Sequence, residues 1–244
     1  MKKNLLMIAA MFAAVSASAQ GAWTNTTGEA EKEAVVYAAG TQSTDLIPGM
    51  TITFAGATDW AAKGIDAATF TGVDGVEYSK NYIQGNTNGM AGGLEHSSGQ
   101  SSHVQFTVNT AGTVYIAAKF GNNKPIWAAK VATSAMEDLD DSDMTAYLYT
   151  YEGKYIKDDG TYGGDEAATD AVYSALPLAV EPNYTYFFWV SGSKLMLSGI
   201  NFVSGGSAVA GIAEAKAEAA APVKVITANG VQIGNFNIAG QQVK

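Results

Sequence analysis

The chain has no cysteine and no arginine, only two histidines and five prolines, and just 15% charged residues over its 244 positions. Each shortage closes a class of function. Without cysteine there are no disulfides, thiolate nucleophiles, iron–sulfur clusters, Cys-type zinc sites or lipoprotein-type Cys anchor. Without arginine the chain lacks the side chain best suited to bidentate phosphate contacts, and 14 lysines against 23 acids leave a net charge of −9. Such a chain makes a poor partner for nucleic acid. After the first residues no apolar stretch approaches the roughly 18 residues that a membrane-spanning helix needs.

What is present is 47% hydrophobic residue content and 27 glycines, with abundant tyrosine, threonine and serine. This is the composition of an extracellular β-protein rather than of a disordered chain or a coiled coil. The start is an address. Met1-Lys2-Lys3-Asn4 is basic, Leu5–Val15 is apolar but too short to span a bilayer, and Ala17-Ser18-Ala19 fits the A-x-A cleavage rule. The pattern predicts a signal peptide over residues 1–19 and a secreted or cell-surface protein. Taking Lys2 and Lys3 from the 14 leaves 12 lysines against 23 acids, so the mature chain carries −11. The body that follows is long enough to bury a core without disulfides.

Three zones follow the leader. Residues 20–204 alternate short apolar-polar runs with Gly, Asn and Asp turns. Residues 205–222 are Ala-rich, without an apolar stripe, and read as a linker closed by Pro222. Residues 223–244 return to strand-like patterning. In the body, Val104, Phe106 and Val108 alternate with polar neighbours, and Val114, Ile116, Ala118 and Phe120 do the same beyond Asn109–Gly112, predicting a β-hairpin. A second hairpin is expected from Thr145–Tyr151 and Lys154–Lys157, and a third from Tyr184–Val190 and Leu195–Val203. Tyr184–Val190 is apolar on both faces and predicts a central strand. Short strands with glycine-rich turns indicate an all-β fold, an antiparallel β-sandwich or jelly roll with a short C-terminal β-hairpin tail.

Chemistry-bearing motifs are few. His96 and His103 would fall on opposite faces of a strand and read as a polar loop with His103 opening a strand. Ser191-Gly192-Ser193-Lys194 matches S-x-x-K, but it sits between strands without its companion motifs and reads as a hairpin turn. Acids cluster at Glu137, Asp138, Asp140, Asp141 and Asp143, and at Asp158, Asp159, Asp165 and Glu166. Calcium suits such loops, yet Asp143 and Tyr149 stand where an EF-hand needs Gly and Glu, and solvated acidic loops explain the clusters as well. No other cofactor is implied. The aromatics say more. Tyr147, Tyr149 and Tyr151 alternate along one expected strand and would project from one face, a platform for stacking the apolar C–H faces of sugars. Trp127, Trp60 and Tyr82 near expected loops could extend it. Core-facing tyrosines are the competing reading.

Two stretches resemble known families. Val223–Lys244 runs as a strand, an Asn229-Gly230 turn, a second strand and an ending Asn237-x-x-Gly240-Gln241-x-Val243-Lys244. It resembles the C-terminal sorting domains of the type IX secretion system in secreted proteins of Bacteroidetes-type bacteria, which implies the secretion machinery as a partner. Thr185–Val203 is similar to the final strand pair of jelly-roll modules appended to pectate lyases and related polysaccharide enzymes of such bacteria, a resemblance that brings no catalytic residue. The expectation is an exported, non-catalytic sandwich that binds a polysaccharide or cell-surface glycan through Tyr147, Tyr149, Tyr151 or Trp127. A structural or adhesive surface module, or a polysaccharide-degrading enzyme, are the alternatives.

Overall fold

The computed structural model describes residues 20–28, 31–64, 66, 68–89, 101–121, 123–139 and 145–205, together with 224–227, 230–233 and 236–237 near the C-terminus. In chain order the strands are β1 Gln20–Thr24, β2 Val35–Tyr37, β3 Thr41–Ser43, β4 Met50–Ala55, β5 Trp60–Gly64, β6 Thr69–Thr71, β7 Glu77–Ser79, β8 Tyr82–Gly85, β9 His103–Val108, β10 Gly112–Phe120, β11 Ile126–Ala132, β12 Leu148–Ile156, β13 Tyr162–Gly163, β14 Val172–Val180, β15 Tyr184–Val190 and β16 Met196–Ser204. Two antiparallel seven-stranded sheets result. Sheet one has the order β14-β10-β16-β8-β5-β2 with β1 beside β16, and sheet two the order β13-β12-β11-β15-β9-β4-β3.

The period-2 patterning explains the sandwich. Ile52, Phe54, Val104, Phe106, Ile126, Tyr186 and Phe188 from sheet two share one buried core with Val114, Ile116, Leu176, Leu178, Ile200 and Phe202 from sheet one. Burying both inner faces removes from water the apolar surface that drives folding. β15 is flanked by β11 and β9 and is buried along nearly its whole length, as its two-faced apolar pattern requires.

The pairing of these strands corrects the three expected hairpins. β9 pairs with β4 and β15 in sheet two, whereas β10 pairs with β14 and β16 in sheet one. The Asn109–Ala111 connection therefore crosses from sheet to sheet. An arch presents the same inward alternation as a hairpin, which is why alternation alone does not separate them. Ser191–Leu195 makes a similar crossing from β15 to β16, so the S-x-x-K tetrapeptide lies in an inter-sheet turn. The second expected hairpin, Thr145–Tyr151 with Lys154–Lys157, is instead one irregular strand, β12, running through Glu152-Gly153 along β11.

Two features finish the body. At one side of the sandwich the Tyr149 hydroxyl, carried by β12, donates to the Ala179 carbonyl of edge strand β14 at 2.7 Å, tying sheet two to sheet one. On the outer face of sheet one the β6–β7 hairpin lies over a small-residue strip. Ala117 is in register with both Ala175 and Gly199, and the Tyr78 ring fills the space that their lack of bulk leaves. A Cβ on Gly199 would sit 2.7 Å from that ring. The Tyr78 hydroxyl donates to Asp74 at 2.6 Å, and the Asn201 amide donates to the same oxygen at 2.8 Å.

Packing divides the chain into two units, Met1–Val209 and Ala210–Lys244. In the second, β17 Lys224–Thr227, β18 Gly230–Ile233 and β19 Phe236–Asn237 form a small antiparallel sheet, one short strand more than the expected hairpin. The leader, the linker apart from Gly205, His96, Asp140, Asp141 and Asp143 lie outside the described residues.

Candidate functional site

The four aromatic residues singled out from the sequence divide two and two. Thr145–Tyr147 forms a short 3-10 turn before β12, so Tyr147 is not a strand residue. It packs with Trp127 and Leu148 against Ala129, Val131, Phe187 and Trp189 on the outer face of sheet two. Tyr149 and Tyr151 turn the other way, into the main core. The expected single-faced row of three rings is thus corrected. Tyr147 leaves the row because it lies in the 3-10 turn ahead of β12, and the backbone of β12 is itself irregular. Leu148 pairs with Ala129, Thr150 with Ala128 and Lys154 with Ile126, so β12 advances two residues for one of β11 and then four for two. Tyr151 (φ 58°) and Gly153 (φ 70°) hold left-handed conformations within this stretch.

Tyr151 is fully buried, with edge-on contacts to Tyr162 at 4.6 Å and Phe188 at 6.0 Å between ring centroids. Its hydroxyl has no hydrogen-bond partner among the described residues, and burial holds its pKa well above the usual tyrosine value. Tyr149 is half-buried, with the Lys130 ammonium 4.5 Å from its ring centroid. The same ammonium lies 4.7 Å from the Tyr184 ring and 3.0 Å from Glu181. These two tyrosines close and fill the sandwich. Trp60, another candidate, is also core: it is fully buried and its indole N–H donates to the Ala55 carbonyl.

Trp127 and Tyr147 remain as surface candidates. Trp127 is in register with Trp189 across β11 and β15, and the two indoles stack nearly parallel, 10° between planes and 6.5 Å between centroids. Trp189 is wholly buried, whereas Trp127 keeps part of its ring exposed. The far edge of the Trp127 ring lies against Gly153, where a Cβ would come within 3.0 Å of it. A bulged strand on one side and a buried indole beneath therefore fix this ring. Trp189 escaped the sequence reading because its role depends on the β11–β15 register, which no local pattern reports.

The polar candidates are engaged locally. His103 opens β9 as expected and is fully buried. Its Nδ1 lies 2.8 Å from the Ser101 carbonyl and must donate, leaving Nε2 to accept from the Gln105 amide at 2.9 Å. Both ring nitrogens are thereby positioned by neighbours. Asp158 accepts from the backbone and hydroxyl of Thr169, and Asp159 from those of Thr161, which lowers the Asp159 pKa. Among the described residues no three acids or histidines converge as a metal site. An open cleft of about 290 Å³ between the β3–β4 and β9–β10 connections is lined by uncharged residues, among them Thr44, Thr51, Thr107 and Asn109. A scan of protein-family models and a search of curated proteins returned no match to this chain.

Proposed function

We propose that the protein is an exported, non-catalytic sandwich that binds a glycan or cell-surface polymer on the outer face of sheet two. One observation supports this above the others: Trp127, only partly buried, stacks on the buried Trp189, with Tyr147 packed into the same cluster. A sugar offers an apolar C–H face, and a flat ring already held in place stacks on it without losing further freedom. The leader-like residues 1–19 and the sorting-like tail support export, with the secretion machinery as partner of residues 223–244. Asn and Asp side chains in the loops would bond the sugar hydroxyls.

The test is a glycan array with purified protein and its Trp127→Ala and Tyr147→Ala variants. The expected result is loss of more than about tenfold in apparent affinity for neutral oligosaccharides in Trp127→Ala, as for other aromatic anchors. Unchanged binding across the array in both variants would remove this face from consideration. Turnover assays on the bound polymers should show no cleavage.

A further inference from the structure

The outer face of sheet one holds a second aromatic surface, and this one is cationic. On β10, Lys119 is in register with Tyr173 of β14 and Met196 of β16. Its ammonium lies 5.7 Å from the Tyr173 ring centroid and 5.9 Å from that of Tyr82 on β8. Lys80, just before β8, places its own ammonium 5.3 Å from the Tyr173 ring. Ile83 belongs to the core, so Tyr82 beside it faces outward, and its ring lies across Gly64 of β5, where a Cβ would overlap it. Tyr173 is braced from behind by Phe70, 5.2 Å away between centroids, and its hydroxyl donates to the Lys80 carbonyl. All four side chains are partly exposed.

Charge gives this patch its character: two ammonium groups converge on the one Tyr173 ring in a chain with 23 acids and 14 lysines. Lys63, Lys130 and Lys157 do pair with Glu33, Glu181 and Glu166. Lys80 and Lys119 instead rest on tyrosine faces, with no ion pair among the described residues. Asp66 is the acid whose charge reaches Tyr173, and its carboxylate accepts the Ala68 N–H.

We infer that Tyr82, Tyr173, Lys80 and Lys119 form a binding surface for acidic saccharides, the tyrosine rings taking a sugar face and the two ammonium groups its carboxylates. A carboxylate forms stronger, charge-assisted bonds with an ammonium than a neutral hydroxyl does. The rest of the acidic surface repels a polyanion, so binding depends on this local pair of cations rather than on overall charge. The inference borrows from the function proposed above only the class of ligand; the place is on the opposite sheet from Trp127.

Hexamannuronate, hexagalacturonate and a hyaluronan hexasaccharide serve as carboxylate probes. Mannohexaose is the carboxyl-free counterpart of the first, and a heparin hexasaccharide supplies sulfate. Binding is measured for the full chain and for Lys119→Glu, Lys119→Met, Lys80→Glu and Trp127→Ala, with a thermal melt of each. The expected result is at least one uronate bound about tenfold more tightly than mannohexaose, weakening with salt, with that margin lost in Lys119→Glu and Lys119→Met and kept in Trp127→Ala. Lys119→Met keeps the apolar stem, so a loss there with an unchanged melt reads the charge alone. A heparin preference that also depends on Lys119 would assign the surface to sulfate rather than carboxylate and overturn the uronate assignment. The inference also fails if no uronate exceeds mannohexaose, or if the margin survives in both Lys119 variants. Loss of neutral-sugar binding in Trp127→Ala reports on the other face alone, so the two readings stand or fall separately.

Discussion

Tyr151 concentrates two costs at one position: a left-handed backbone at a residue with a Cβ, and a buried hydroxyl without a partner among the described residues. Replacing it by Phe keeps the ring against Tyr162 and Phe188 and removes the orphan oxygen. Tyr151→Phe is therefore expected to leave stability unchanged or raise it by up to about 1 kcal/mol. Tyr151→Ala opens a cavity and should cost about 3–5 kcal/mol. Denaturant melts of the two variants check this; a clear loss in Tyr151→Phe would mean that the hydroxyl is bonded after all. Tyr149 differs from both Tyr151 and Trp127. Its hydroxyl bond to Ala179 and its contact with Lys130 are structural, so Tyr149→Ala should lower the melting temperature by roughly 4–8 °C, about 2 kcal/mol in a domain of this size, and leave glycan binding intact. Binding lost without a fall in stability would reverse that assignment.

Among the elements, the β6–β7 hairpin shows how small residues admit a large one. Tyr78 lies on the Ala175–Ala117–Gly199 strip, and Gly199 is also tightly approached by the Trp23 carbonyl of β1, 2.6 Å from where a Cβ would be. Gly199→Ala should push either the hairpin or β1 off β16, with a loss of about 1–3 kcal/mol, read by thermal melts and by faster amide exchange in Glu77–Ser79. Strands of this kind were legible in the sequence because burial on one face imposes alternation, which β4, β9 and β10 follow, while β15 was legible from its unbroken apolar run. Their partners were not legible: Val104–Val108 and Val114–Phe120 look alike in a hairpin and in an arch between sheets. β12 was misread for a different reason. Glu152-Gly153 has turn chemistry, and only pairing with β11 shows that the positive φ at Gly153 serves a bulge. The 3-10 turn at Thr145–Tyr147, before β12 begins, leaves Tyr147 in one cluster while Tyr149 and Tyr151 go to another. Trp127 could be named as a candidate from its type alone, whereas Trp189, Lys119 and Tyr173 gain their roles from register across strands distant in sequence.

For the molecule as a whole, both packing and pH behaviour follow from where its tyrosines lie. The division at Val209 and Ala210 implies that a chain ending at Gly205 keeps a single cooperative melt, since β1 through β16 supply the whole sandwich. Loss of folding on that truncation would assign the C-terminal strands to the sandwich. β1 begins at Gln20 and pairs with Val203 of β16, so a mature chain starting at Gln20, as N-terminal sequencing of exported protein should find, retains every body strand. Alkaline pH tests the core itself. Burial raises the pKa of Tyr78, Tyr151 and Tyr186, and pushes Tyr173 up to about 12. Unfolded tyrosines ionise near 10, so above that pH the unfolded chain binds fewer protons than the folded one, and the stability slope with pH turns negative. The contribution of these hydroxyls is complete below about pH 10 and is lost as pH rises toward and beyond 12. Melting temperature should accordingly stay flat from about pH 8 to 9.5 and fall steeply above 10, with tyrosinate absorbance rising together with unfolding. Repulsion within an acidic chain would also lower stability there, but salt screens exposed charge and leaves burial untouched. A fall that persists at high salt thus belongs to the buried tyrosines, and one that salt abolishes would show that surface charge, not the core, sets the alkaline limit.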